Sequence, residues 1–233
     1  MQPTLAGAVD GLYAAFADRK RPKNIDYCTH CVSPDNVDRL LAAGPLREIP
    51  AETLRSYTVD VLSTVGSVAD FRHFLPRILQ ITVTGGFDGY PDLDLVMSKF
   101  VLGEWRGWPA SEQRAVSAFL YALWSTTLTG ADSGAEELLG AIGRVEEDLG
   151  PYLRTWEAAL ATHAGASQLL EFVRYTFGRS GTRYWLTVPG WLPTTVAPVR
   201  TWLGGLSGVV AATAETVTDE QTFDVLLELL ASL

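Results

Sequence analysis

Apolar residues recur every three or four positions along most of the chain, and this spacing predicts amphipathic helices. Leu5, Val9, Leu12 and Phe16 show it first and predict a helix over residues 4–17. Glycine or proline follows most of these runs, as expected where helices end. The later predicted helices cover residues 33–44, 50–65, 67–81, 91–102, 109–128, 134–149, 151–163, 166–177, 198–203 and 218–230.

Two segments depart from a simple helical pattern. Pro76 lies inside the helix predicted over residues 67–81, and it predicts a kink or a fresh start because proline cannot donate a backbone hydrogen bond. Residues 182–188 have the β-branched and aromatic content of a strand. No neighbouring run is an obvious partner, and an isolated strand is poorly stable, so we predict a loop or a terminal helix there.

About ten helices joined by short loops, without alternating strands, predict an all-α fold. Helices of roughly 10 to 18 residues suit antiparallel pairs, arranged as an irregular solenoid or a multi-helix bundle. We predict one helical domain over residues 1–233. Residues 1–84 form a candidate N-terminal subdomain.

The composition and net charge of the chain argue against some classes of binding partner. The chain has 233 residues, 47% of them apolar, and a formal net charge of -9. This acidity argues against a general nucleic-acid binder and against docking on an anionic membrane. No run of about 18 apolar residues predicts a transmembrane helix, and the N-terminus lacks the basic start of a signal peptide. Two cysteines do not make a disulfide scaffold, so we expect a cytoplasmic protein.

The two cysteines lie three residues apart, in Cys28-Thr29-His30-Cys31. A Cys-x-x-Cys loop lets two thiolates reach one tetrahedral zinc ion, which needs two further ligands. His30, His73, Asp26 and Asp70 are the candidates, and His73 and Asp70 are preferred because residues three apart share one face of a helix. His30 is less suitable, since a residue inside so tight a loop tends to point away from the ion.

Each of these residues also has another interpretation. The two thiols can be small apolar side chains packed in a loop, or a redox pair. Asp70 can complete a capping box with Ser67, or it can orient His73 as a general base. The basic run over residues 19–23 can hold a phosphate or an acidic partner, or it can be a solvated loop. The sequence leaves all of these alternatives open.

The interval between Glu171 and Glu215 has no acidic residue and is rich in arginine and tryptophan. Both residue types are enriched in the energetic hot spots of protein interfaces. The interval is therefore a candidate surface for an unidentified protein partner, although tryptophan can equally fill a helical core. The candidate partner-binding residues are Arg174, Arg179, Arg183, Trp185 and Trp191.

Three segments resemble a group of bacterial helical proteins to which we attach no activity. They are Asp26-Tyr27-Cys28-Thr29-His30-Cys31-Val32-Ser33, Pro45-Leu46-Arg47-Glu48 and Asp70-Phe71-Arg72-His73-Phe74-Leu75-Pro76-Arg77. The resemblance covers about a quarter of the chain. It implies that these segments form one unit, and it implies no function.

No phosphate-binding loop, dinucleotide fingerprint, Gly-x-Ser-x-Gly elbow or His-Glu-x-x-His motif occurs. The leading hypothesis is therefore a non-enzymatic protein that binds another protein through its helical surface. The alternative is a metal- or thiol-dependent enzyme with its site at Cys28, Cys31 and His73.

Overall fold

The computed structural model describes residues 3–130, 134–180 and 183–233. Twelve α-helices, two 3₁₀ turns and one two-stranded hairpin make up the regular structure of these residues, which confirms the all-α prediction. The chain divides into two compact units, Met1–Ala122 and Leu123–Leu233. Whether they fold as one domain, as the sequence predicts, stays a prediction. No helix in the described ranges is long and apolar enough to cross a membrane.

The first unit contains the first five helices and the start of a sixth, and local signals set many of their ends. These helices are α1 Leu5–Ala15, α2 Pro34–Ala42, α3 Ala51–Asp60, α4 Val68–Val83, α5 Leu93–Leu102 and α6 Ala110–Thr129. Ser67 and Asp70 begin α4 with a reciprocal capping box. The helix then continues through Pro76, so it does not restart there. Helix α3 ends earlier than predicted, because Val61 leaves the helical conformation with ψ of 139°, and Leu62 then adopts a left-handed conformation with φ of 64°.

Helix α4 supplies the centre of the first unit's core. Phe71 and Phe74 are fully buried on it. The Phe71 ring meets Phe100 of α5 edge-on at 5.8 Å and the Trp108 ring at 6.1 Å. Such edge-on aromatic pairs add to the stability that burial alone provides.

A buried carboxylate lies beside this core. Glu112, in the first turn of α6, has a side chain that is only 1% exposed. It pairs with Arg19 at 2.7 Å and with Arg72 of α4 at 2.6 Å. The two guanidinium groups compensate the buried charge, which would otherwise be costly. Neither arginine is near Glu112 in sequence, so the pattern of residues carries no signal for this group.

The second unit contains the end of α6 and six further helices. They are α7 Ala135–Gly143, α8 Gly150–Ala159, α9 His163–Thr176, α10 Pro193–Gly205, α11 Ser207–Thr216 and α12 Glu220–Ser232. Between α9 and α10, β1 Phe177–Ser180 pairs antiparallel with β2 Arg183–Leu186. The prediction of a loop or helix in this segment is therefore wrong. The missing partner is the chain directly after α9, where Gly178 faces Trp185 and leaves room for its ring.

Stacked aromatic rings fill the core of the second unit. Trp156 of α8 stacks on Phe172 of α9 at 5.7 Å, and Phe172 stacks in turn on Trp191 at 5.6 Å. Trp124 meets Trp156 edge-on at 5.2 Å. The buried indoles also find acceptors: Trp124 Nε1 donates to a backbone carbonyl at 2.8 Å and Trp156 Nε1 to another at 3.1 Å.

Candidate functional site

The cysteine loop is held on the segment that follows α3. Tyr27 forms a backbone bridge with Val65, and the Cys28 N–H donates to the Thr64 carbonyl at 2.8 Å. On the other side, the Gly66 N–H donates to the Asp26 carbonyl at 2.8 Å. These two hydrogen bonds make up the bridge and fix the chain that enters the loop, so the first thiol is presented from an anchored backbone.

The four residues from Cys28 to Cys31 form a tight turn. The Cys31 and Val32 N–H groups both donate to the Cys28 carbonyl at 3.0 Å. A turn closed in this way brings its end Cα atoms within about 7 Å, and disulfides need about 4.4–6.8 Å. Both cysteines are free and exposed. The interpretation of thiols packed within a loop is therefore not what the structure displays.

The two sulfurs have different surroundings. The backbone N–H groups of His30 and Cys31 and the Cys31 thiol donate to the Cys28 sulfur, and these contacts lower the pKa of Cys28. Donation of its own thiol proton raises the pKa of Cys31, and the charge of Cys28 adds to this. Asp60, at the end of α3, raises the pKa of Cys31 further. Cys28 is therefore the more readily ionised thiol.

His73 and Asp70 have other partners. Nδ1 of His73 lies 3.0 Å from the Arg19 carbonyl, which can only accept, so Nδ1 carries the proton. Burial lowers the pKa of His73. The Asp70 carboxylate accepts from the Ser67 N–H at 2.8 Å in the capping box. The described residues contain no group of three or more Cys, His, Asp or Glu side chains arranged to hold an ion. Zinc binding stays a prediction.

The basic run before the loop also has structural partners. Arg19 pairs with Glu112, and Arg21 donates to carbonyls at the end of α2, including Leu41 at 3.1 Å and Gly44 at 2.8 Å. A guanidinium at a helix C-terminus satisfies carbonyls that the helix leaves free. These two arginines therefore support the fold around the loop.

The candidate partner-binding residues of the second unit are not equivalent. Trp191 belongs to the aromatic stack on Phe172, and Arg174 pairs with Glu228 of α12. Trp185 remains 47% exposed on the hairpin. The side chains of Arg179 and Arg183 lie outside the described part of the structure. Sequence reasoning missed Tyr175, which is 82% exposed near the end of α9.

Around the thiols, sequence reasoning missed Asp60 and Thr64. Both lie about thirty residues beyond the loop, and no spacing links them to it. The left-handed turn at Leu62 brings this segment back against the loop. Such a conformation is unusual for a residue other than glycine, and nothing in the sequence predicts it.

The loop is an exposed turn with two thiols, and backbone hydrogen bonds attach it to the segment that follows α3. Comparisons with protein-family models, with curated proteins and with solved structures found no match to this chain. The chemistry of the turn is argued below from its own contacts.

Proposed function

We propose that the protein carries out thiol–disulfide exchange through Cys28 and Cys31. The observation that carries the proposal is the exposed turn in which the Cys31 N–H donates to the Cys28 carbonyl at 3.0 Å, because it holds two free cysteines at the two ends of one turn. Exchange requires one sulfur that ionises readily and a second within bonding reach of it. The N–H groups around Cys28 meet the first requirement, and the turn meets the second.

The reaction begins at the Cys28 thiolate, which attacks one sulfur of a partner disulfide. A mixed disulfide forms, and the other partner sulfur leaves as a thiolate and takes up a proton. Cys31 then loses its proton to solvent and attacks the Cys28 sulfur, which releases the second partner thiol. The two cysteines end as a disulfide, and two electrons and two protons have passed to the partner.

The test uses glutathione as the probe. The reduced protein is equilibrated with increasing ratios of oxidised to reduced glutathione, and free thiols are counted by alkylation and mass spectrometry. We expect one cooperative conversion to the Cys28–Cys31 disulfide, and we expect Cys28 to be alkylated faster than Cys31 near neutral pH. Equal alkylation rates, or mixed disulfides as the only oxidised product, would overturn the proposal.

The two single serine variants are matched controls for each other. Cys31→Ser should accumulate a mixed disulfide between Cys28 and glutathione, because no second thiol remains to release it. Cys28→Ser should react more slowly, since Asp60 still raises the pKa of the Cys31 thiol in that variant. The reverse order would assign the attacking role to Cys31 and contradict the geometry.

Zinc content separates this function from the metal-dependent alternative. Protein purified without a histidine tag should contain less than about a tenth of an equivalent of zinc if the thiols serve exchange, whereas a zinc site would hold about one. Chelation should then leave the melting temperature unchanged. A full equivalent of zinc, lost with a fall in melting temperature, would favour the metal site.

A second candidate function is binding of another protein by the hairpin region. It is favoured by the exposure of Trp185, since large exposed aromatic side chains are frequent anchors at interfaces. Trp185→Ala should lose a partner that the wild-type chain retains in a pull-down, whereas the exposed Phe223→Ala serves as the matched control. Retention of every partner by Trp185→Ala would count against this surface.

A further inference from the structure

Helix α12 exposes more apolar surface than its own packing uses. Its buried face packs against α9 and α11 and consists of Thr222, Leu226 and Leu229. A second stripe consists of Phe223, Leu227 and Leu230, which share one face because they are four and three residues apart. Phe223 is 39% exposed and Leu227 is 47% exposed. Helix α12 thus has one face that supports the fold and a second, apolar stripe that stays open to solvent.

The charges around this second stripe have one sign. Residues 201–233, which contain α11 and α12, include five acidic residues and no basic residue. All five are exposed: Glu215, Asp219, Glu220, Asp224 and Glu228. Arg174 of α9 pairs with Glu228, and the Thr222 N–H donates to Asp219. The other three carboxylates have no ion pair among the described residues, so the negative charge of this helical pair is not balanced.

Two of these three carboxylates border the stripe. Glu220 lies three residues before Phe223, and Asp224 lies three residues before Leu227. Residues three apart are neighbours on the surface of a helix. The exposed face of α12 therefore combines an apolar stripe with a row of carboxylates along one edge.

This combination selects the kind of partner. A helix with apolar residues on one face can lay them along the stripe, and its lysine or arginine residues then meet Glu220 and Asp224. A second copy of this chain fits poorly, because the same carboxylates would face one another and like charges across an interface are unfavourable. The surface of an anionic membrane is disfavoured for the same reason.

We propose that the exposed face of α12 binds a basic amphipathic helix of another protein. The apolar side of that helix covers Phe223 and Leu227, and its cations pair with Glu220 and Asp224. Helix α12 has 13 residues. At a rise of about 1.5 Å per residue it is about 20 Å long, so a partner helix of about 14 residues spans it. The proposal involves neither the cysteine turn nor the hairpin.

The test titrates the full chain with three fluorescent peptides of about 14 residues. The first has leucine at helical spacing and lysine elsewhere, the second has glutamate in place of each lysine, and the third is a scrambled form of the first without an apolar face. We expect saturable binding of the first peptide, weakened by added salt, and no binding of the other two. Equal binding of the scrambled peptide would show attraction by charge alone, and equal binding of the glutamate peptide would show apolar contact alone. Either result would overturn the proposal.

Two serine variants locate the binding surface. Leu227→Ser removes an apolar side chain without a change of charge and should weaken binding of the lysine peptide about tenfold or more. Leu102→Ser is the matched control, because Leu102 is 54% exposed on α5 of the first unit. It should leave the affinity within about twofold of wild type, as is usual for a change at an unrelated surface position. Equal losses in the two variants would place the binding elsewhere and overturn the proposal.

A charge variant and the oligomeric state complete the test. Asp224→Asn should weaken binding of the lysine peptide at low salt but not at about 1 M salt, where the Debye length is about 3 Å. An unchanged affinity at low salt would contradict the charge pairing. Sedimentation should show no dimer that Leu227→Ser dissociates, since such a dimer would assign the stripe to a second copy. No binding of the lysine peptide at about 100 µM would also overturn the proposal.

Discussion

Replacement of Glu112 by alanine should be among the most destabilising polar changes in the first unit. Its carboxylate is 1% exposed and forms ion pairs with Arg19 at 2.7 Å and with Arg72 at 2.6 Å. Nε of Arg72 also donates a hydrogen bond to it at 2.8 Å. Removing one partner of a buried ion pair leaves an uncompensated charge and costs about 3–5 kcal/mol. For a chain of this size the melting temperature should fall by about 6–20 °C, at about 2–4 °C per kcal/mol.

The arginines should rank by exposure. Arg72 is 14% exposed, whereas Arg19 is 32% exposed and can turn towards water. Arg72→Ala should therefore cost more than Arg19→Ala, although Glu112 keeps one partner in each variant. Thermal unfolding followed by circular dichroism measures all three changes.

Asp10→Ala is the matched control, because Asp10 also pairs with an arginine, Arg47 at 2.8 Å, but with a side chain 68% exposed. Exposed pairs contribute about 0–1 kcal/mol, so this variant should melt close to wild type. The double variant Glu112→Leu with Arg72→Met should be more stable than Glu112→Ala, since it removes the stranded charge of Arg72. If Glu112→Ala and Asp10→Ala melt at the same temperature, the buried carboxylate is not compensated in the way the distances imply.

Three further outcomes are expected. Gly165→Ala should destabilise the second unit by about 1–3 kcal/mol in urea unfolding, because the added Cβ would lie 2.4 Å from a backbone carbonyl oxygen. The Cβ added by Gly205→Ala meets nothing within 4 Å, so that variant should be neutral or stabilising. Burial lowers the pKa of His73 below its unfolded value. The wild-type protein should therefore lose stability relative to His73→Gln as the pH falls below about 6.5. A difference in melting temperature that does not change with pH would contradict this. Asp60→Asn should speed the alkylation of Cys31, since it removes a charge that raises the pKa of that thiol; an unchanged rate at pH 7 to 9 would show that the charge has no effect there.

The helices could be predicted from the sequence because their signals are local. The periodicity of Leu5 to Phe16 and the capping pair Ser67 and Asp70 act within one element, and the structure has helices at both places. The hairpin was missed because its partner strand follows α9 directly, so Gly178 is interpreted as the end of a helix and not as part of a strand. The reason for a glycine at position 178 becomes clear only once Trp185 is known to lie against it. Which strands pair depends on tertiary contacts, and the spacing of residues along the sequence predicts it poorly.

The dithiol turn could be located from its spacing, whereas its surroundings could not. Two cysteines three apart are sufficient to predict that the sulfurs approach each other. The inequality of the two thiols depends on which backbone N–H groups point at Cys28 and on the charge of Asp60. Asp70, a predicted ligand beside the thiols, accepts a hydrogen bond in a helix cap, and His73 lies at hydrogen-bond distance from a backbone carbonyl. These partners follow from the fold, and no local pattern encodes them.

Contacts that support the fold lie in or beside three segments, residues 26–33, 45–48 and 70–77. Gly66, next to the cap of α4, donates to Asp26 in the first segment, and Arg77 of the third donates at 2.9 Å to the Ile49 carbonyl, directly after the second. Arg72 of the third segment adds the ion pair with Glu112.

In the first unit, the residues that support the fold are different from the residues that carry the thiols. The side chains that hold the segments together are buried or partly buried, whereas Cys28 and Cys31 are exposed and carry no packing. Loss of a thiol therefore removes little area from the core, so Cys28 and Cys31 can be substituted without loss of the fold. Glu112 is the converse case, because it pairs with Arg19, which precedes the cysteine loop, and with Arg72 of α4, and so supports the fold around the loop. A fall in thiol reactivity in a Glu112 variant would thus report loosening of the scaffold, and one in a Cys31 variant would report the chemistry of the turn itself.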